Sequence, residues 1–251
     1  MVATKVGRGI SPHVAEGYTF AAIESFVDRS LTNLGVDCID LLQLHCPPTA
    51  VYYRPDFFGN LDRLVDKGKV KLLGVSVEKV EEGLKAIEYP NVASVQIIYN
   101  MFRQRPEDLF LARAQAKGVA VIARVPLASG LLSGKMTAET TFAGDDHRAF
   151  NRHGEAFDVG ETFAGVPFDV ALDAVERLRR LVPAGSTMAQ MALRWIQMNE
   201  AVSVVIPGAR TPEQARANAA AAALGPLSPD VMAAVREIYV AMIKPHVQHR
   251  W

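Results

Sequence analysis

Cysteine is scarce in this sequence, which has only Cys38 and Cys46 among its 251 residues. A disulfide scaffold requires more cysteines, and the spacing of these two matches no metal-ligand or redox motif. The scarcity excludes proteins that depend on a disulfide framework or a cysteine-bound metal. We expect Cys38 to pack in the core of a strand and Cys46 to pack beside a site, with neither thiol acting in catalysis.

Net charge is also absent, because 27 basic and 27 acidic residues cancel at pH 7. A neutral chain has no overall field that attracts nucleic acid or an anionic membrane, so we expect neither as a partner. No apolar run approaches the roughly 18 residues that a membrane-spanning helix needs, and the N-terminus shows no signal-peptide pattern. We therefore expect a cytoplasmic location.

Short apolar segments alternate with amphipathic stretches along the chain. The apolar segments predict six strands, at Val2–Val6, Cys38–His45, Leu72–Val77, Ser94–Tyr99, Val119–Val125 and Ala201–Ile206. The amphipathic stretches predict helices at Phe20–Asn33, Phe57–Lys67, Val80–Ile87, Leu109–Lys117, Val170–Leu181 and Thr187–Asn199. A helix between two strands returns the chain to the same end of the sheet, so the alternation predicts an α/β fold with a parallel sheet.

Two features depart from a regular parallel barrel. A closed barrel of this kind has eight strands, whereas six are recognisable here and the first begins at residue 2. The segment 133–168 has no clear period, which is typical of a long functional βα loop.

Ser228 and Pro229 predict the N-cap and first residue of a final helix near Asp230–Met242. We expect one domain over residues 1–251.

His45 is the first candidate site residue, because it ends an apolar strand and Pro47 and Pro48 follow at once. In a βα barrel the C-terminal ends of the strands open onto the active-site face. A histidine there changes charge near neutral pH and so favours a catalytic role. The alternative is a core histidine whose ring is satisfied by a backbone carbonyl.

Several segments, in this order and spacing, resemble the aldo-keto reductase family. They are ATKVG, SLTNLGVDCIDLLQLHCPP, GKVKLLGVSV, VQIIYNMFRQ, VPLASGLLSGK and VIPGARTPEQARANAA. The resemblance covers essentially the whole chain and is to the subgroup with RVPLASGLLSGK and LSPDVM. It implies a TIM (β/α)8-type barrel, here without the first two βα units, that binds NADPH and reduces aldehydes or ketones. No GxGxxG occurs, which fits a family that binds NADPH without a Rossmann fold.

The resemblance implies a catalytic site of Asp, Tyr, Lys and His, of which Lys5 matches the Lys and His45 the His. Hydride attack on a carbonyl develops negative charge on oxygen, so the site needs a proton donor and a group that orients the carbonyl. The segment that carries the family's Asp and Tyr has no counterpart here, and Tyr18 is out of register with it. Loss of general acid catalysis predicts a rate lower by about 10² to 10⁴.

The resemblance also implies NADP(H) as the cofactor. Ser76 and Gln96 match residues that hydrogen-bond the nicotinamide carboxamide, whereas Val77 stands where the family usually has Asn. Arg124 occupies the position of an aromatic residue that stacks on nicotinamide in many members, and a guanidinium also stacks on a ring. The backbone implied to approach the pyrophosphate is at Pro126, Leu127, Ser129 and Gly130.

A second cofactor segment is implied near the C-terminus. Thr211, Pro212 and Gln214 have the residue types of a capping-box helix start, and such a start attracts phosphate. Capping alone is the other interpretation of Thr211 and Gln214. We expect the N–H groups of this start and the Arg210 guanidinium to bind the 2′-phosphate of NADP, and Gln214 and Asn218, four apart on one helical face, to reach the adenosine end. Gly208, just before Arg210, is expected to bind the cofactor as well.

Three hypotheses about function remain open. The first is an NADPH-dependent reductase for a small carbonyl substrate, whose Asp and Tyr are supplied by residues upstream of Met1. The second is a truncated or non-catalytic barrel that retains partial NADP binding, because the Asp and Tyr are absent. The third, a sugar-phosphate isomerase or aldolase, does not account for ATKVG together with LQLH.

We expect no metal, because Asp145, Asp146 and His147 are adjacent loop residues that do not share one face. A sheet of six strands has open edges, which we expect to favour self-association.

Overall fold

The computed structural model describes residues 1–251 and contains six β-strands, named β1 to β6 in chain order. They are Ala3–Val6, Ile39–His45, Val70–Ser76, Val92–Ile98, Ala120–Arg124 and Val202–Val205. They form one sheet in the order β1-β2-β3-β4-β5-β6, with parallel pairing. The α/β fold with six parallel strands is confirmed, and the strand ends differ from the predicted ones by two residues or fewer.

Ten α-helices, α1 to α10, connect and follow the strands. They are Phe20–Leu34, Pro55–Asp66, Val80–Ala86, Phe110–Ala116, His147–Phe150, Phe168–Arg179, Met188–Gln197, Pro212–Ala220, Pro229–Ile238 and Lys244–Val247. Between β5 and α6 the chain otherwise forms short helical turns.

The first long helix shows how local sequence defines an element. Thr19 begins α1, and its Oγ1 accepts a hydrogen bond from the Ala22 N–H at 3.2 Å. Ile23 and Val27, one turn apart, are fully buried. Gly35 ends the helix with φ 64°, a left-handed conformation that glycine adopts without steric cost.

The final helix differs from the prediction of one segment near Asp230–Met242. As predicted, Ser228 caps α9, accepting from the Val231 N–H. After Ile238 the chain forms a π-helical turn over Tyr239–Ile243 before α10. Pro245 has no backbone N–H and cannot donate a hydrogen bond to a carbonyl one turn earlier. The regular α-helical hydrogen bonds are therefore interrupted before Pro245, where the π-helical turn lies.

Contacts divide the chain into two compact units. The first unit comprises Met1–Ile97 with Leu109–Val121, and the second comprises Ile98–Asp108 with Ile122–Trp251. The expectation of a single domain over residues 1–251 remains a prediction. None of the helices is long and apolar enough to cross a membrane.

Candidate active site

Strand register in the first unit places the polar residues of β1 to β4, with Gly74 among them, in two rows across the sheet. The lower row is Lys5, Gln43, Gly74 and Ser94, and the upper row is His45, Ser76 and Gln96. The upper row lies two residues closer to the C-terminal ends of the strands. Residues two apart share a face of a strand, so the two rows form successive layers on one side of the sheet.

Lys5 is connected to both layers through Gln96. Its Nζ donates to Gln96 Oε1 at 3.1 Å, and Gln96 Nε2 donates to Gln43 Oε1 at 3.2 Å. Both glutamine side chains are buried. Gln43 was not among the predicted site residues, although a polar residue two positions before His45 in an apolar strand is a signal for the same face.

His45 ends β2 and is partly exposed. Cys46, directly after it, has φ 46° and donates its N–H to the Ser76 carbonyl at 2.9 Å. Gly7, directly after β1, has φ 100°. These left-handed residues turn the chain away immediately beyond the strand ends, and strained backbone is common at functional sites. The partial exposure of His45 disfavours its interpretation as a core histidine.

The buried polar atoms below this edge are incompletely hydrogen-bonded. Gln43 Nε2 and Ser94 Oγ have no hydrogen-bond partner, which is costly in the interior. Ser76 is also buried, with its Oγ 3.5 Å from Cys46 Sγ. Cys46 therefore packs beside the predicted site, as expected for it. This layer offers amide and hydroxyl groups to a ligand that carries both a donor and an acceptor.

Tyr18 does not take the place of the missing tyrosine. Its side chain is fully buried, and its hydroxyl donates to the Gly7 carbonyl at 3.2 Å and lies 2.9 Å from His13 Nε2. Burial raises the pKa of Tyr18 well above its usual value, which makes it a poor proton donor.

In the second unit, Arg124 at the end of β5 and Ser129 after it bond to residues 161–163. Arg124 is buried and pairs with the Glu161 carboxylate. Ser129 Oγ donates to the Glu161 carbonyl at 3.0 Å and accepts from the Phe163 N–H at 3.1 Å. Ser129 and Gly130 are left-handed, with φ 56° and 98°, and the Gly130 N–H bonds the Leu127 carbonyl. Pro126 precedes this turn and is buried. The segment implied to approach a pyrophosphate is thus a tight, fixed turn.

The other predicted phosphate segment, also in the second unit, is exposed and bonded to itself. Gln214 Oε1 accepts from the Arg210 N–H at 2.7 Å, and Asn218 Nδ2 donates to the Gly208 carbonyl at 3.2 Å. Thr211 caps α8 as predicted. In a capping box the Gln214 side chain would accept from the Thr211 N–H, but here it accepts from the Arg210 N–H instead. The Arg210 side chain is 80% exposed.

Asp146 has a local structural role in the same unit. It caps α5, and its two carboxylate oxygens accept from the Arg148 guanidinium. The hydrogen bonds from Arg148 hold the pKa of Asp146 far below its usual value. Arg210 Nη2 lies 3.8 Å from the same carboxylate.

Comparison with known proteins identifies the family of this chain. The model of the Aldo/keto reductase family matches residues 1–240. The aldo-keto reductase YhdN of Bacillus subtilis is 32% identical over 78% of this chain and 57% of its own length. The NADP(+) aldo-keto reductase yakc of Schizosaccharomyces pombe is 25% identical over 83% of this chain and 61% of its own.

This chain spans about three-fifths of the length of these two relatives. A solved structure is also similar to it. The glycerol dehydrogenase of Gluconobacter oxydans is 27% identical, its TM-score is 0.73, and the match covers 98% of this chain and 72% of the dehydrogenase. Because the family model matches residues 1–240, the chain belongs to the aldo/keto reductase family.

Proposed function

We propose that this chain functions in NADPH-dependent reduction of aldehydes or ketones to alcohols by hydride transfer. The observation that supports it most directly is the bond from Lys5 Nζ to Gln96 Oε1, at the strand edge where His45 also lies. A buried amide holds the ammonium in a defined position, so positive charge is available before a substrate binds.

The proposed chemistry requires charge stabilisation at the carbonyl oxygen. NADPH would supply a hydride to the carbonyl carbon and leave as NADP⁺, and the oxygen would gain negative charge and then take a proton from water to give the alcohol. Lys5 stabilises that charge, while His45 hydrogen-bonds the oxygen and orients the carbonyl. No residue of the given sequence matches the family's Asp and Tyr; a general acid contributes about 10² to 10⁴ in rate, so a proton donor supplied by other residues would raise turnover by that factor.

The residues of the first unit fit a nicotinamide carboxamide. A glutamine amide has two donors and two acceptor lone pairs, and Gln96 uses one of each with Gln43 and Lys5. One N–H and one lone pair of Gln96 remain, together with the Ser76 hydroxyl. We propose these for the carboxamide. In the second unit we propose Arg210 for the 2′-phosphate, and Gly208, Gln214 and Asn218 for the adenosine end of the cofactor.

A second candidate function is NADP binding without catalysis. It is favoured by Tyr18, whose hydroxyl is buried and donates to the Gly7 carbonyl, so this tyrosine supplies no proton to a substrate. Both functions require the cofactor, so binding and turnover have to be measured separately.

The test is a fluorescence titration with NADPH beside NADPH oxidation by 4-nitrobenzaldehyde. We expect oxidation to be lost in Lys5→Met and His45→Gln but retained in Lys117→Met, a control lysine that is exposed at the end of α4. Binding without turnover in the unchanged protein would select the non-catalytic function. Absence of NADPH binding would overturn both.

A further inference from the structure

We propose that the second unit carries a binding site for a small amphipathic carboxylate. The site is a cavity of about 550 Å³ formed by the segment before α6, the start of α6 and Arg250. Its volume lies within the range of small-molecule sites, about 300 to 1,000 Å³. None of the residues assigned above to carbonyl or cofactor chemistry lines it.

Two arginines give the cavity its positive charge. Arg152 is partly buried, and its guanidinium lies 4.5 Å from the Phe168 ring centre and 5.5 Å from the Phe163 ring centre. Arg250 is exposed and lies near the Trp251 ring. No ion pair with a carboxylate is found for either guanidinium. The flat face of the Arg152 guanidinium contacts the Phe163 and Phe168 rings, so its N–H groups remain able to donate to a ligand. A guanidinium binds a carboxylate through two such hydrogen bonds.

The rest of the lining is mostly apolar. Val159, Val166, Phe168 and Leu172 contribute to it, and Val166 is buried. An apolar wall beside a cationic group fits a ligand with an aromatic or alkyl body and one acidic end. A fully polar anion such as inorganic phosphate would leave this wall without a partner.

The start of α6 adds to the positive potential. Pro167 is its N-cap and provides no side-chain acceptor, so the first-turn N–H groups of this twelve-residue helix lack a side-chain cap. Asp169 is the one carboxylate of the lining and is exposed. Two arginines against one carboxylate leave the cavity net cationic.

The wall at Gly165 is closely packed. A Cβ at Gly165 would lie 2.4 Å from the Trp251 ring, which itself stacks on the buried Arg103 with the guanidinium carbon 3.5 Å from the ring centre. The Trp251 indole N–H donates to Asp158 Oδ1 at 2.9 Å. A wall held in this way favours a cavity that is formed before the ligand binds.

The experiment is isothermal titration calorimetry with 4-phenylbutyrate and with its uncharged analogue 4-phenyl-1-butanol. We expect phenylbutyrate to bind, and Arg152→Met or Arg250→Met to weaken binding by about tenfold. The control is Arg180→Met, at the exposed C-terminal end of α6 and outside the lining, which should leave affinity within about twofold. Arg250 is exposed, so its replacement does not endanger folding.

The uncharged alcohol separates recognition of the acid from simple apolar burial. We expect it to bind about tenfold more weakly than the carboxylate. Equal affinity for acid and alcohol, unchanged affinity in both cavity variants, or no binding of phenylbutyrate would each overturn the proposal.

Discussion

Single residues in the first unit place polar groups inside an otherwise apolar sheet. Gln43, Ser94 and Gln96 lie buried between strands, and two of their polar atoms lack partners. Such atoms reduce stability by about 1 to 3 kcal/mol each, and a bound group that hydrogen-bonds them would remove this cost. Space for them depends on Gly74 in the same row.

Gly74→Ala is expected to destabilise the protein. The added Cβ would lie 2.3 Å from Ser94 Oγ and 2.9 Å from the Ser94 carbonyl oxygen. Overpacking of this kind costs about 1 to 3 kcal/mol, measured as the free energy of unfolding in urea. Gly59→Ala is the matched control, because a Cβ there meets nothing within 4 Å and alanine favours its helix by up to about 1 kcal/mol. Equal stability of the two variants would contradict this explanation.

Arg210→Met is expected to weaken NADPH binding selectively. The Arg210 guanidinium is exposed, with one distant carboxylate at 3.8 Å, and the 2′-phosphate is the group that NADH lacks. We expect the Kd for NADPH to rise about tenfold and that for NADH to change by less than about twofold. Arg216→Met, in α8 just after Arg210 and paired with Glu213, is the control. An equal loss for both nucleotides would refute a 2′-phosphate role.

At the scale of elements, α5 shows a four-residue helix stabilised by one carboxylate. Asp146 caps it through the Arg148 N–H and also binds the Arg148 side chain. Helices this short are unstable alone, so the charge contributes to order in the segment between β5 and α6.

Asp146→Asn is expected to remove a pH-dependent part of the stability. The folded-state pKa lies below the ordinary value of 3.8, so the ionised group stabilises the fold above that value and the contribution is lost as pH falls through the folded pKa. Asparagine keeps a capping oxygen but lacks the charge, and should cost about 1 kcal/mol at pH 7. Thermal unfolding from pH 7 to pH 2 should show the two proteins converging in acid. A constant difference would argue against the charge.

At the scale of the whole molecule, six strands leave β1 and β6 as the first and last of the sheet. Each has one edge without a neighbouring strand in this order. Val204 in β6 is 48% exposed. Unpaired strand edges with exposed apolar residues favour pairing with another chain.

We therefore expect self-association that rises with protein concentration, measured by light scattering against the 27.3 kDa mass of one chain. Val204→Lys should reduce it, because a charge on an edge strand opposes pairing. Val240→Lys is the control, since Val240 is 47% exposed but lies in a helical turn. A monomer at all concentrations, or equal effects of both variants, would contradict edge pairing.

The sequence by itself determined the six strands, the longer helices between them and the family. Apolar runs and helical periods are local, so β1 to β6 could be predicted within two residues, with His45 at the end of β2. Tertiary structure alone decided which distant residues meet. The bonds from Lys5 to Gln96 and on to Gln43 depend on strand register, and the closure of Gln214 on Arg210 depends on the exact turn.

The cavity in the second unit was likewise unpredictable, because Arg152 and Arg250 are nearly a hundred residues apart and come together only through packing. The physical reason is the range of the forces: backbone propensity and periodicity act within a few turns, whereas a site is built from long-range contacts.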